Sequence, residues 1–228
     1  TDPMPYFTAP EALPLDKLDA VVLTHAHLDH AGMLPVLFKY GYRGPVYCTP
    51  PTRDMMLLLQ TDFLKVGGAE GKRAPYSMED IRQCMLHVVD VDWSKTTDIT
   101  PDVKLTFENA GHILGSSAVH LNIADGKHNI VFSGDQKYEK SWLFDAANVR
   151  FPRCETLVIE STYGASGDYQ PSREEATRKR RAPRSCGKNT SSRASPSTAS
   201  SRLRVPRAPS VATGVATGTA TGVASGTA

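Results

Sequence analysis

Between residues 21 and 32 the sequence reads VVLTHAHLDHAG, and His25, His27, Asp29 and His30 fall within six positions behind an apolar run. Three of the seven histidines of the chain are spent there. Residues two apart in extended backbone project to the same side, so His25 and His27 are placed to pinch one ion. Asp29 and His30, at the mouth of the helix expected next, point elsewhere and offer donors for a second ion. Imidazole and carboxylate together suit Zn²⁺ or another first-row divalent ion, and a catalytic site leaves one coordination position open for water. A solvated polar loop, or core histidines satisfied by hydrogen bonds, is the plain alternative. It suits a lone histidine better than H-x-H-x-D-H behind a strand.

The elements that must position these residues are legible by period. LDAVVLT and GPVYCT are short apolar runs of strand type. Between them DHAGMLPVLFKYG has helical spacing at Met33, Leu34, Leu37 and Phe38, with Pro35 tolerated in the first turns and Gly41 as the stop. TRDMMLLLQTDFLKVG is expected to be a second helix capped by Thr52. SMEDIRQCMLHVV is expected to be a third, opened by Ser77 with Asp80 three residues on. From Val103 the period becomes two: Val103, Leu105 and Phe107 alternate, as do Val119, Leu121 and Ile123. Asp125-Gly126 then turns the chain into Ile130, Val131 and Phe132 as a hairpin. ETLVIEST is expected to close the folded part as a buried strand. The sum is an α/β layered domain whose chemically interesting residues sit just after strands.

Composition divides the chain in two. With 228 residues and 40% hydrophobic content it is long enough to bury an ordinary core. The net charge of +2 hides sixteen basic against twenty-four acidic residues up to position 177, and ten basic with no acidic residue from 178 to 228. That tail has no aromatic residue and drifts into VATGVATGTATGVASGTA. So few large apolar groups cannot offset the entropy of ordering it, and it is expected to be disordered. No apolar stretch approaches the ~20 residues of a membrane span, and TDPMPYFTAPEALP lacks the layout of a signal peptide. The expectation is a soluble, cytoplasmic protein with no membrane partner. Four scattered cysteines without a C-x-x-C pair suggest reduced thiols.

THAHLDHAG resembles the signature of the metallo-β-lactamase superfamily. YGYRGPVYCTPPTRDMMLLLQTDF, NAGHILGSS, FSGDQKY and LVIESTYG follow in an order similar to that of its β-CASP ribonuclease branch. The closest resemblance is to the archaeal homologues of the cleavage and polyadenylation specificity factor nuclease. It covers about residues 1 to 175, and four separated motifs agree. The fold it implies is an α/β four-layer αββα sandwich. Here that sandwich is expected to be incomplete, a partial metallo-β-lactamase domain over residues 1–177 with the β-CASP cap missing and a basic low-complexity tail over 178–228.

The resemblance implies two Zn²⁺, or other first-row divalent ions. His25, His27 and His112 would hold the first, Asp29 and His30 the second, and Asp135 would bridge them. Taken alone, His112 reads as a turn histidine and Asp135 as a turn or cap aspartate. Glu160 in ESTYG matches an acidic residue that the family uses near the metals to orient a later histidine; its bland alternative is a strand-end carboxylate. His87, His120 and His128 are left outside the site.

The implied chemistry is hydrolysis of an RNA phosphodiester, in 3′-end processing or decay, with metals ~3.5–4 Å apart generating hydroxide and steadying phosphate charge. Asp135 would hold the spacing and Asp29 would orient the nucleophile. RNA is the implied partner, and a homodimer is compatible with the intact family member.

The family's upstream aspartate strand and two downstream histidines have no counterpart here, so the chain is expected to be inactive or nearly so alone. A frameshift is one account of the tail: Thr190–Arg193, if encoded ACC TCA TCC CGG, would read one base back as Leu-Ile-Pro, which resembles a motif of the family's next strand. A natural basic tail that binds RNA phosphates is the other. Two further readings stay open: a non-catalytic RNA-binding fragment, and a metallo-hydrolase of a small thioester or lactam.

Overall fold

The structure, a computed structural model, describes residues 15–165, 167 and 175–178. The basic tail beyond residue 178, with Cys186 and the Thr190–Arg193 stretch on which a frameshift was read, lies outside the described residues, as do residues 1–14. The chain divides after Glu160 into two compact units. In the second, Gly164 N–H closes a turn on the Ser161 carbonyl, and residues 175–178 are helical.

The first unit opens with a 3₁₀ turn, Leu15–Lys17, and strand β1, Val21–Val22. The single helix expected after it is two: α1, Leu28–Ala31, and α2, Leu34–Lys39, separated at Gly32-Met33 and with proline in the first turn of α2. Strand β2, Val46–Cys48, leads into α3, Pro50–Ala69.

Thr52 is not the cap of α3. The Pro-Pro pair is pre-set for the first turn, so the helix starts at Pro50 and Thr49 takes the cap position in extended backbone. Helix α4, Met78–Leu86, does open on the Ser77–Asp80 capping box, with both reciprocal bonds present. It stops three residues earlier than its sequence suggested, because Val88–Asp90 leave the helix to form β3.

Strands β1, β2 and β3 form a parallel sheet, with Val46 opposite both Val21 and Val88. Parallel neighbours need long crossovers, which α1–α2 and α3–α4 supply. The second sheet runs β4 (Thr96–Thr100), β5 (Val103–Asn109), β6 (Ser117–Ile123), β7 (His128–Phe132) and β8 (Thr156–Val158). Its first four strands are antiparallel and β8 joins β7 in parallel. The β6–β7 hairpin turns through Ala124, Asp125 and Gly126, all at positive φ. Strand β8 is not buried: Leu157 and Val158 are exposed, because it lies at the sheet edge with β7 as its one neighbour among the described residues.

The alternation of side chains along β2 sorts the core. Val46 and Cys48 face the helices, packing with Leu34, Phe38, Met56 and Cys84. Tyr47 faces the other way, into a cluster with Leu105, Phe107 and Val119 of the second sheet. Full burial of a side chain such as Phe107 is worth about 2–3 kcal/mol relative to exposure. Helices, parallel sheet and antiparallel sheet are thus stacked in that order, as the α/β reading requires. The outer face of the antiparallel sheet presents Thr106, His120 and Asn122, and the Arg153 carbonyl accepts a hydrogen bond there from His120.

Candidate metal centre

Three strand ends meet at Thr24. The ladder of β1 runs one residue past Val22, with Leu23 N–H donating to the Tyr47 carbonyl, so His25 and His27 follow from a fixed backbone. Ser117 N–H, at the start of β6, donates to the Thr24 carbonyl at 2.8 Å and ties the two sheets together. Gly134, just past β7, packs on Thr24 so closely that a Cβ would lie 2.9 Å from the Thr24 Cβ, which leaves room only for glycine. The loop from Asn109 to Ser117 therefore delivers His112, and the turn after Gly134 delivers Asp135, to the end of β1.

Two contacts from α3 fix these loops. The hydroxyls of Thr49 and Thr52 donate to the Gly115 carbonyl at 2.7 and 3.0 Å, seating the His112 loop on the helix start. Buried Gln60 donates through Nε2 to the Ala31 carbonyl at 2.8 Å, holding the end of α1.

His25, His27, His112 and Asp135 each offer one donor atom, and these atoms all lie within 4.8 Å of one another. His27 Nδ1 is 3.2 Å from both His25 Nε2 and His112 Nε2. Asp135 Oδ2 is 3.7 Å from His25 Nε2 and 3.5 Å from His112 Nε2. Donors ~2.0–2.1 Å from a tetrahedral Zn²⁺ stand about 3.3–3.4 Å apart, so the spacing and the donor set fit such an ion. Hydrogen bonding explains the cluster less well, since His27 Nδ1 carries at most one proton and faces two imidazole nitrogens.

The other oxygen of Asp135 points elsewhere: Oδ1 is 3.4 Å from His30 Nε2, which is itself 3.6 Å from the Asp29 carboxylate. Asp29 is largely exposed and outside the four-residue cluster. Glu160 is also outside it; its Oε1 accepts a 2.7 Å hydrogen bond from the Gln136 backbone and so fixes the chain one residue past Asp135. His87 and His128 bond the Gln83 carbonyl and Thr156, and His120 the Arg153 carbonyl, all away from the cluster.

A model described as a β-lactamase superfamily domain matches residues 1–177. The chain belongs to the metallo-β-lactamase superfamily. Within it the chain is similar to archaeal proteins named transcription termination factor FttA. Identity is 55% over 172 residues with that of Methanosarcina mazei, 58% over 161 with that of Cenarchaeum symbiosum and 50% over 179 with that of Pyrococcus abyssi. These matches cover 75%, 71% and 77% of this chain but 27%, 25% and 28% of the relatives. The chain thus spans about a quarter of their length.

The electrostatics of this metallo-β-lactamase site suit cation binding. Burial first, then the neighbouring imidazoles of His30, His27 and His112, push the His25 imidazole down to about 3. Burial also lowers His112, against the opposing pull of Asp135. Both rings are therefore held neutral, the form that donates to a metal. Thr24 Oγ1 lies 3.1 Å from His25 Nδ1, on the far side of the ring from the cluster, where it can fix ring orientation. Sequence reading missed Thr24, Thr49, Thr52 and Gln60 as supports. Only Thr24 carried a local signal, its place directly before His25.

Proposed function

We propose that this chain carries a divalent-metal hydrolase centre acting on RNA phosphodiester bonds, in the setting of transcription termination for which its relatives are named. One observation carries the reading: three imidazole nitrogens and one carboxylate oxygen, drawn from three strand ends, converge at ligand spacing. His25, His27 and His112 hold a first ion with Asp135. His30 and Asp29 face the other Asp135 oxygen and contribute to a second. Such ions, when bound, supply hydroxide near neutral pH and stabilise charge on the phosphate oxygens. The protein's part is to hold the His25 and His112 rings neutral and the donors spaced, to keep the carboxylate of Asp29 beside the nucleophile, and to pin the backbone after Asp135 through Glu160. Residues 1–177 act as part of the metallo-β-lactamase domain. The tail from 178 on adds cationic contacts to RNA phosphates.

A second reading has a specific observation behind it. The first centre has four donors, whereas the second has only His30, Asp29 and a shared oxygen. A chain that fills only the first centre would bind RNA without cutting it.

The test combines zinc content by plasma mass spectrometry with cleavage of labelled RNA and of a thioester, each with and without a chelator. At least one ion per chain, lost in His112→Ala, is expected, with at most weak cleavage by this partial domain alone, sensitive to chelator and confined to the RNA. An ion content well below one per chain sinks the metal centre; one ion without cleavage leaves the RNA-binding reading.

A further inference from the structure

Directly after Asp135 the chain makes an excursion, residues 137–147, whose two ends are tied together. Ala147 N–H donates to the Lys137 carbonyl at 2.8 Å, and Lys137 N–H to the Ala110 carbonyl at 2.9 Å. The neck closes on Gly111, at φ +67°, where a Cβ would lie 2.7–2.8 Å from the Asp145 carbonyl, Ala147 N and the Lys137 carbonyl. Gly111 precedes His112. The excursion thus springs from one residue of the metal cluster and is gripped beside another.

Its tip is built rather than loose. Ser141 N–H donates to the Phe144 carbonyl at 2.9 Å, Ser141 Oγ accepts from the Leu143 and Phe144 amides, and Lys140 pairs with Asp145 at 2.8 Å. What this ordered turn presents is apolar: Trp142 and Leu143 are 82% and 84% exposed. Three residues past Asp135, exposed Tyr138 has its hydroxyl held by Gln136 Nε2 at 2.5 Å. Trp142 lies seven residues from Asp135, hence within about 25 Å of it.

We propose that Tyr138 and Trp142 form a stacking track for unpaired nucleobases leading away from the metal cluster, with Trp142 as the main platform. This rests on the RNA-hydrolase reading for its substrate class. Large apolar rings on a pre-ordered turn are costly in water and gain by covering a flat partner. Every nucleobase has a π-face, so such a track holds single strands without reading sequence, while the reacting phosphate sits at the cations. Lys137, next to Tyr138 in the chain, is exposed at the neck and offers a cation for the nucleic-acid backbone.

The test uses the full chain, zinc-loaded, with a short fluorescein-labelled 2′-O-methyl oligouridylate that resists cleavage. Salt is kept high enough to weaken tail–phosphate contacts. Fluorescence anisotropy is expected to show W142A binding the single strand about fivefold to a hundredfold more weakly than wild type, with W142F retaining most of the affinity. A duplex of the same sequence, whose bases are already stacked, should not distinguish the proteins. Equal affinity of W142A and wild type for the single strand overturns the inference. So does an equal loss on the duplex, or a wild-type chain that does not bind. Zinc content of the same samples separates the two readings: a W142A loss in protein that holds no zinc keeps the platform and sinks the hydrolase. Unchanged affinity in zinc-loaded protein does the reverse.

Discussion

His25 shows how a side chain is prepared to donate to a metal. It is fully buried, its ring is kept uncharged, and Thr24 meets the nitrogen that faces away from the cluster. Thr24→Val keeps the shape and removes that partner. We expect zinc affinity, measured by chelator competition, to fall about 10–100-fold with the fold intact by circular dichroism. Burial acts in the opposite direction on the thiols: it pushes Cys48 and Cys84 from 9.0 up to about 12. Their folded state keeps protons that the unfolded chain gives up. The stability this represents is fully present below pH 9 and lost between pH 9 and 12, at about 1.4 kcal/mol per thiol per pH unit. Native alkylation near pH 8 should therefore tag exposed Cys154 and spare Cys48 and Cys84, as peptide mass spectrometry would show. Labelling of Cys84 as fast as Cys154 would contradict the packing described.

At the scale of elements, Gly111 is a point of tight backbone constraint. An alanine there combines a left-handed backbone with three backbone contacts inside 3 Å. Gly111→Ala should cost about 2–4 kcal/mol in urea unfolding and loosen zinc binding through His112. Wild-type stability in that variant would mean the neck is not closed on this residue. Much of the element order was legible beforehand: the alternation of Leu105 and Phe107, the Asp125-Gly126 turn, and Ser77 with Asp80 are all local signals. The misses have local causes too. Val88 and Val89 continue the apolar period of α4, so nothing in the sequence marks where helix becomes strand. Thr52 looks like a cap until the proline pair starts the helix ahead of it, which frees its hydroxyl for Gly115. In ETLVIEST an apolar run suggested burial, but composition does not tell an edge strand from a central one. Asp29 and His30, read from the H-x-H-x-D-H motif, lie outside the four-donor cluster, whereas His25 and His27 were legible as a pair because they stand two apart in sequence. Joining His112 and Asp135 to it took a family resemblance, because their approach depends on how two sheets meet at Thr24.

For the first unit as a whole, α3 matters beyond its place in the core. Through Gly115 near its start and Ala31 near its middle, one rod holds both histidine-bearing loops, while the β6–β7 hairpin has its own ladder. Segments that share an anchor open together. Amides of residues 28–31 and 113–117 should thus exchange with deuterium at the rate of the α3 amides, and not at that of 119–132. Replacing Gln60 with alanine should speed the first group alone. The cations would then rest on donors that appear and vanish in a single event, so metal loss and the opening of this helix should follow one time course.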